Sequence, residues 1–169
     1  RKATTFLILI LMVCSSFVFG QNQLFSPQAP GDFDTTFNGT GWADQPLLFV
    51  SNTTSVAVQS DGKILVGGSS SRNNVGFSGG EFAVARYNPN GTLDTTFASN
   101  GIFKTPILTS PNANDSGNGL VIQSDGKIIV AGCSDFTLGN SNIVIARLTS
   151  AGIRDSSFDG DGIKIIQIG

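Results

Sequence analysis

Residues 58–68 read VQSDGKILVGG, and residues 122–132 read IQSDGKIIVAG. In both copies an Asp-Gly pair stands between two apolar runs, and this arrangement is a strong signal for a two-residue β-hairpin turn of type I′. We therefore predict that Asp61-Gly62 and Asp125-Gly126 are turns between antiparallel strands. The prediction bears on function because both stretches also carry the glycine-lysine pair that occurs in phosphate-binding loops.

The phosphate-binding interpretation fails on the neighbouring positions. The motif GxxxxGK[ST] needs a glycine five residues before the second glycine and a hydroxyl-bearing residue after the lysine. The first copy has Ala57 and Ile64 at these positions, and the second copy has Val121 and Ile128. We therefore expect no nucleotide at these stretches, and no cofactor is predicted for the chain.

Two further segments recur in a fixed order around the hairpins. GDFDTTFNGTG at 31–41 returns as GTLDTTFASNG at 91–101 and as GIRDSSFDGDG at 152–162. FAVARYNPNG at 82–91 returns as IVIARLTSAG at 143–152. Copies of the three segments are separated by 60 to 64 residues. The chain is therefore a tandem repeat with a period near 60 residues.

Each repeat contains four short apolar runs with Gly, Asn, Asp, Ser and Pro between them, which predicts four strands joined by turns. In the second full repeat the runs are Ile102–Leu108, Gly119–Gln123, Lys127–Cys133 and Asn142–Leu148. Continuous apolar runs indicate strands that are covered on both sides, as in sheets stacked face to face. An all-β fold of four-stranded β-propeller blades is therefore predicted, with a β-solenoid as the alternative.

The combination of VQSDGKIxVxG, FAVARYN and G-x-L-D-T-T-F-x-x-x-G resembles the delta-60 repeat, a β-propeller-type repeat of bacterial exported proteins. The resemblance covers about residues 31–162 and is looser in the last copy, where Arg154 stands in the place of Leu93 and Leu148 in the place of Tyr87. It implies more blades than this chain contains, because closed propellers typically have 4 to 8.

The repeats suggest a division of the chain into five parts. These are a signal peptide at 1–20, an N-terminal segment with the tail of a first repeat at 21–41, propeller blades at 42–101 and 102–162, and the first strand of a following blade at 163–169. We expect an incomplete propeller, the N-terminal fragment of a longer protein, whose partners are further blades of the same chain. Alone, it would expose sheet faces and edges and self-associate.

The N-terminus has the features of a secretory signal peptide. Arg1 and Lys2 precede an apolar stretch that is shorter than the roughly 20 residues of a membrane-spanning helix. Cleavage after Gly20 would leave Gln21 as the mature start. We therefore expect export from a bacterium to the periplasm, the cell surface or the medium, with the membrane engaged only through this peptide. An uncleaved anchor and a lipid-modified Cys14 are the alternatives.

Composition excludes several classes of function. Residues 21–169 hold eight basic and twelve acidic side chains, a net charge of −4, so the basic face of a nucleic-acid-binding protein is not expected. The chain has no histidine, which excludes Ser-His-Asp catalysis and histidine-ligated zinc. Cys133 would be the only cysteine left after cleavage, so packing rather than an internal disulfide is expected to hold the fold.

Charged residues recur at matching places in the repeats. Arg86 and Arg147 stand on otherwise apolar strands, and Asp94 and Asp155 each follow eight residues later. Because a buried arginine has to be paired, we predict structural ion pairs between strand and corner. Ligand binding is the alternative, although a binding site usually differs between blades.

The D-T-T-F corner also carries a recurring aromatic residue. Phe37, Phe97 and Phe158 are predicted to be packing anchors between blades. The last corner, 155–162, reads DSSFDGDG and resembles part of a calcium loop, but it would place Ile168 where an EF-hand has glutamate. A polar turn without metal is therefore predicted there, with a private calcium site as the alternative.

The leading functional hypothesis is a non-catalytic scaffold or binding module for an unknown extracellular ligand or protein. Loops carry binding contacts more often than the scaffold does. The best candidate is the segment 69–80, because it is the least repeat-like part of the chain. The alternative is an enzyme whose active site lies on the propeller channel and is completed by blades outside this chain.

Overall fold

The computed structural model describes residues 29–43, 51–71, 80–107, 114–135 and 141–168. The strands are β1 Ser51–Val58, β2 Ile64–Ser71, β3 Gly80–Tyr87, β4 Ile102–Thr105, β5 Asn114–Ile122, β6 Ile128–Asp135, β7 Ser141–Leu148 and β8 Ile163–Ile166. They form two four-stranded antiparallel sheets, ordered β1-β2-β3-β4 and β5-β6-β7-β8. The predicted all-β fold with four strands per repeat is confirmed.

The described residues contain no helix that is long and apolar enough to cross a bilayer. The predicted signal peptide and its cleavage site at Gly20 and Gln21 lie outside these residues.

The sheets do not follow the predicted unit boundaries. The predicted boundary between residues 101 and 102 falls inside the first sheet, because β4 pairs with β3. Residues 163–169 were predicted to open a following blade, whereas β8 pairs with β7 as the last strand of the second sheet. The cause is local. Asp94 N donates to Arg86 O at 2.8 Å and Arg86 N donates to Gly101 O at 3.0 Å, so the corner turns the chain back alongside β3.

The hairpin turns differ in type from the prediction. A type I′ turn requires positive φ at both central residues. Gly62 has a φ of +81°, but Asp61 is not among the residues with positive φ. Gly62 N donates to Gln59 O at 2.9 Å, and Gln59 N donates to Lys63 O at 2.8 Å. This is the three-residue hairpin in which a type I turn is followed by a left-handed glycine. It joins β1 to β2, the first two strands of the sheet, whereas the order of the apolar runs in the repeat places this turn between the second and third strands.

The second hairpin has the same construction. Gly126 has a φ of +82°, and its N–H donates to Gln123 O at 2.9 Å. The aspartate of each turn accepts a hydrogen bond from a backbone N–H two residues later, at 3.1 Å from Lys63 N to Asp61 and from Lys127 N to Asp125. Such a side-chain bond is the physical reason for aspartate in these turns.

The hydrophobic core lies between the two sheets. Its fully buried members are Leu65, Phe82 and Val84 from the first sheet, Phe97 from the corner, and Ile128, Val130, Val144, Ala146 and Leu148 from the second sheet. Glycines allow the close approach of the sheets. A Cβ on Gly132 would lie 2.9 Å from Phe82 Cζ, and a Cβ on Gly117 would lie 2.6 Å from Gly68 O. Thr54 Oγ1 also donates to Gly117 O across the interface at 2.6 Å.

The continuous apolar strands were predicted to be buried on both faces. The two sheets differ in how far their strands are buried. Strand β3 is buried from Phe82 to Arg86 on both faces. In β7 buried and less buried residues alternate, and Ile143 is 42% exposed. Among the described residues, the second sheet is therefore covered on one face only.

Candidate functional site

The first charged cluster consists of Lys63, Arg86 and Asp94. Arg86 Nε and Lys63 Nζ each lie 2.8 Å from the same oxygen, Asp94 Oδ2. Arg86 and Asp94 are both buried, at 8% and 4% exposure. The structure thus brings the predicted Arg86–Asp94 pair together and adds a lysine from the hairpin.

The second cluster repeats this arrangement with Lys127, Arg147 and Asp155. Lys127 Nζ lies 3.1 Å and Arg147 Nε lies 2.8 Å from Asp155 Oδ2. The Arg147 contact has the distance of an ion pair without the geometry of a hydrogen bond, unlike its counterpart in the first repeat. The predicted Arg147–Asp155 pair is therefore present in a more open form, with 19% of the Arg147 side chain exposed.

The lysines were not predicted to belong to these clusters. The sequence contained a signal for them, because the hairpin lysine recurs in both copies at the same distance from the hairpin aspartate. A recurring lysine beside a recurring Arg–Asp pair is better interpreted as a third member of one network.

The two carboxylates have lowered pKa values for related reasons. Burial alone would raise the pKa of Asp94, but hydrogen bonds from Lys63, Thr96 and Arg86 outweigh it and lower the pKa well below its usual range. For Asp155 the hydrogen bond from Ser157 is the largest cause, and it lowers the pKa together with Lys127 and Arg147 against the opposing effect of burial. Both carboxylates are held in the charged form.

Each aspartate also shapes the corner that follows it. Thr96 N and Thr96 Oγ1 donate to Asp94 Oδ1 at 3.1 and 2.6 Å. Asp34 and Asp155 accept the same pair of bonds from Thr36 and Ser157. One carboxylate oxygen therefore builds the turn, while the other binds the cations in the two complete repeats.

The corner phenylalanines lie under the arginines and against the next repeat. The guanidinium carbon of Arg86 lies 4.6 Å from the centre of the Phe97 ring, and that of Arg147 lies 4.8 Å from the Phe158 ring, within cation–π range. The Phe97 ring also packs against Gly152 of the second repeat. Phe37 packs against Gly91 in the same way. Phe37 and Phe97 are thus in contact with the following repeat.

A polar cleft of about 250 Å³ lies at the opposite ends of the strands from the hairpins and corners. Its lining residues are Asn52, Ser69, Ser70, Ser71, Gly80, Asn114 and Ser116. The predicted binding segment 69–80 therefore borders this cleft at both of its described ends, while residues 72–79 lie outside the described residues. None of the described lining side chains is charged, so this part of the cleft offers hydroxyl and side-chain amide groups.

A buried carboxylate stands between two of the lining residues in sequence. Asp115 is completely buried. Its Oδ2 accepts a hydrogen bond from Ile107 N at 2.7 Å, and its Oδ1 accepts one from the Ser134 hydroxyl. The Asp115 side chain therefore links the ends of neighbouring strands through these two hydrogen bonds.

The acids of the last corner have partners within the protein. Asp161 Oδ1 accepts from Ile163 N at 2.8 Å, and Asp159 Oδ1 binds Lys164 Nζ at 2.9 Å. Within the described residues no three acidic or cysteine side chains are arranged to hold a metal ion. Cys133 is a free cysteine in this part of the chain, with Asn118 Nδ2 at 3.9 Å from its sulfur.

A comparison with protein families finds similarity in both repeats. A family described as a domain of unknown function (DUF5122) beta-propeller matches residues 59–97 and 123–158. Each match runs from the hairpin glutamine to the corner phenylalanine, and so contains one complete ionic cluster. No curated protein matches the sequence. Together with the two stacked four-stranded sheets, these matches show that the chain is built from β-propeller-type repeats.

Proposed function

We propose that this chain is an exported, non-catalytic β-propeller module of delta-60-type repeats, which binds a ligand through the polar cleft. The observation that carries the proposal is the contrast between the two sets of polar residues. The Lys–Arg–Asp clusters recur in both repeats, and their charged groups pair with one another within the protein. The cleft residues differ: Asn52 and Ser69 correspond to Ser116 and Cys133 in the next repeat.

The chemistry of the cleft favours a neutral ligand rich in hydroxyl groups. Asn52 and Asn114 are exposed, and their amides can both donate and accept hydrogen bonds. A charged ligand would lose hydration without gaining an opposite charge from the lining side chains. The described lining contains no aromatic ring for a sugar to stack on, so a single cleft should bind weakly and repeated clefts should add avidity.

The binding proposal is tested with neutral oligosaccharides of different linkage, followed by NMR of the backbone amides. We expect concentration-dependent shifts at the lining residues, and at least tenfold weaker binding after the double change Asn52→Asp and Asn114→Asp. Gln167→Glu makes the same chemical change at an exposed site outside the cleft and should leave binding unaltered. Absence of binding to every probe would contradict the proposed ligand class, and cleavage of a probe would favour the enzyme alternative.

Export is supported by the basic start and the apolar stretch of residues 1–20. Expression of the whole chain in a bacterium should give an exported product whose mass and N-terminal sequence begin at Gln21. A product that retains residues 1–20 in the membrane would indicate an uncleaved anchor. A lipid mass on Cys14 would indicate a lipoprotein. Either result would leave the cleft proposal standing, since the two tests measure different properties.

A further inference from the structure

Ser70 and Ser134 occupy equivalent places in the two repeats. In the pairing of β1 with β2, Ser70 stands opposite Ser51. In the pairing of β5 with β6, Ser134 stands opposite Asp115. Both serines are buried, with exposed fractions of 1% and 0%. A buried hydroxyl normally has a hydrogen-bond partner, because the loss of its hydration is otherwise uncompensated. The two repeats differ in whether they supply that partner.

Ser134 has its partner within its own sheet. Its hydroxyl donates to Asp115 Oδ1, while Ile107 N donates to the other oxygen of the same carboxylate at 2.7 Å. The first repeat has a serine at position 51, where the second has Asp115. The carboxylate that binds Ser134 therefore has no counterpart at the position opposite Ser70.

The Ser70 hydroxyl has a much weaker hydrogen bond. Its oxygen lies 3.4 Å from Ser71 O, whereas an ordinary bond between a hydroxyl and an oxygen spans about 2.5–3.0 Å. Among the described residues, no group donates a hydrogen bond to Ser70 Oγ. Ser70 therefore keeps most of its capacity to donate and all of its capacity to accept, although it is a buried residue.

This hydroxyl-bearing residue lines the polar cleft. Ser69 and Asn52 flank it in the first sheet, and Asn114 and Ser116 belong to the facing wall. Because both asparagines are exposed and Ser70 is buried, Ser70 lies at the floor of the cleft and the asparagines lie at its rim. The volume of about 250 Å³ is below the roughly 300–1,000 Å³ of pockets that enclose drug-sized ligands. The cleft therefore admits one end of a ligand.

The chemistry of Ser70 selects the group that reaches the floor. A carbonyl oxygen only accepts hydrogen bonds and an ammonium group only donates them, whereas a hydroxyl does both. We propose that Ser70 is the specificity-determining residue of the cleft, and that its side chain binds a hydroxyl group at one end of a neutral ligand. The inference rests on the proposed binding function, to which it adds the atom that the ligand contacts.

A double-mutant cycle between protein and ligand tests this contact. Cellotriose, maltotriose, laminaritriose and their monodeoxy derivatives are titrated against the whole chain and against Ser70→Ala, with NMR of the backbone amides as the readout. Loss of one particular hydroxyl should weaken binding to the natural chain at least tenfold, because Ser70 then loses its partner. The same loss should weaken binding to Ser70→Ala less than twofold. Ser60→Ala, in an exposed turn outside the cleft, should behave like the natural chain.

The outcomes of the titration separate this inference from the proposed function. Deoxy derivatives that weaken binding equally in both proteins would overturn the role of Ser70 and leave the cleft proposal standing, with a bound water as the partner of Ser70. Absence of binding to every probe would contradict the proposed ligand class, and this inference with it.

A second measurement needs no ligand. Ser70→Ala should leave the urea midpoint of unfolding unchanged, because the hydroxyl that it removes makes only a long hydrogen bond in the free protein. Ser134→Ala should lower the midpoint, since the buried carboxylate of Asp115 then loses a donor. Equal losses in the two variants would show that the Ser70 hydroxyl stabilises the fold, and would overturn the proposal.

Discussion

At the scale of single residues, two equivalent arginines have different surroundings. Arg86 is buried, shares Asp94 with Lys63 and binds Ser150 of the next repeat. Arg147 pairs with Asp155 but is more exposed, and among the described residues it has no hydrogen bond that matches Arg86–Ser150. The contribution of an ion pair to stability depends strongly on burial, because removal of one partner leaves an uncompensated charge only where water cannot reach it.

Replacing the two arginines by methionine should therefore have unequal effects. Arg86→Met should lower the free energy of unfolding by about 3 kcal/mol, because it leaves a buried carboxylate with a single cation. Arg147→Met should lower it by about 1 kcal/mol, since the Arg147 side chain is partly exposed and its contact with Asp155 lacks the geometry of a hydrogen bond. Denaturant unfolding of the two variants measures both values. Equal losses would contradict the structural difference between the repeats.

The lowered carboxyl pKa values predict a loss of stability in acid. A group whose pKa is lower in the folded than in the unfolded state contributes stability above its unfolded pKa and loses it as the pH falls through the folded one. For Asp94 the unfolded value is 3.8, so the unfolding midpoint should be flat near neutral pH and fall progressively below about pH 4.

The double variant Asp94→Asn and Asp155→Asn tests this origin of the acid sensitivity. It should be less stable than the natural chain at pH 7 and show a shallower decline between about pH 4 and pH 2, because the titrating groups have been removed. Thermal unfolding at a series of pH values gives both slopes. Parallel slopes in the two proteins would assign the acid sensitivity to other carboxylates.

At the scale of structural elements, turns control how the sheets are closed and joined. The hairpin at Gly126 and the turn at Gly152 both place glycine at positive φ, at +82° and +83°. Their surroundings differ. A Cβ on Gly126 would meet only Ser150 Cβ at 3.6 Å, whereas a Cβ on Gly152 would lie 2.6 Å from the Phe97 ring. The turn at Gly126 closes its own hairpin, whereas the turn at Gly152 also forms the contact between repeats.

Alanine at these two glycines should separate backbone strain from docking. Gly126→Ala should lower the free energy of unfolding by about 1 kcal/mol, which is the cost of the left-handed conformation alone. Gly152→Ala should cost about 3 kcal/mol, because displacement of the Phe97 ring adds to the same strain. The difference between the two values, measured by denaturant unfolding, reports the contact between repeats. Equal costs would mean that Phe97 moves aside freely.

At the scale of the whole molecule, the two sheets share one core. Phe82 of the first sheet reaches Gly132 of the second, and Leu120 of the second packs against Gly67 of the first. In repeat proteins stability is approximately a sum over repeats and the interfaces between them. With the described core lying between the sheets, we expect the interface to dominate, so that neither sheet is stable alone.

Phe82→Ala tests this dependence of each sheet on the other. The change should lower the free energy of unfolding by about 4 kcal/mol, because it opens a cavity in the core. Hydrogen exchange should accelerate in β6 and β7 as well as in β2 and β3. Acceleration that is confined to the first sheet would show that the sheets unfold independently. Val56→Ala, on a side chain that is 65% exposed, provides the control and should change neither quantity appreciably.

The sequence by itself determined the repeat, the number of strands in each unit, the places of the turns and the arginine–aspartate pairs. These features follow from local patterns that occur twice, such as Asp-Gly between apolar runs or a charged residue on an apolar strand. Only the tertiary structure decided that residues 102–105 and 163–166 form the last strands of their sheets. It also decided that Lys63 and Lys127 join the ion pairs and that a corner contacts the turn of the next repeat. These depend on contacts between residues as many as 64 positions apart, such as Arg86 and Ser150, which no local pattern encodes.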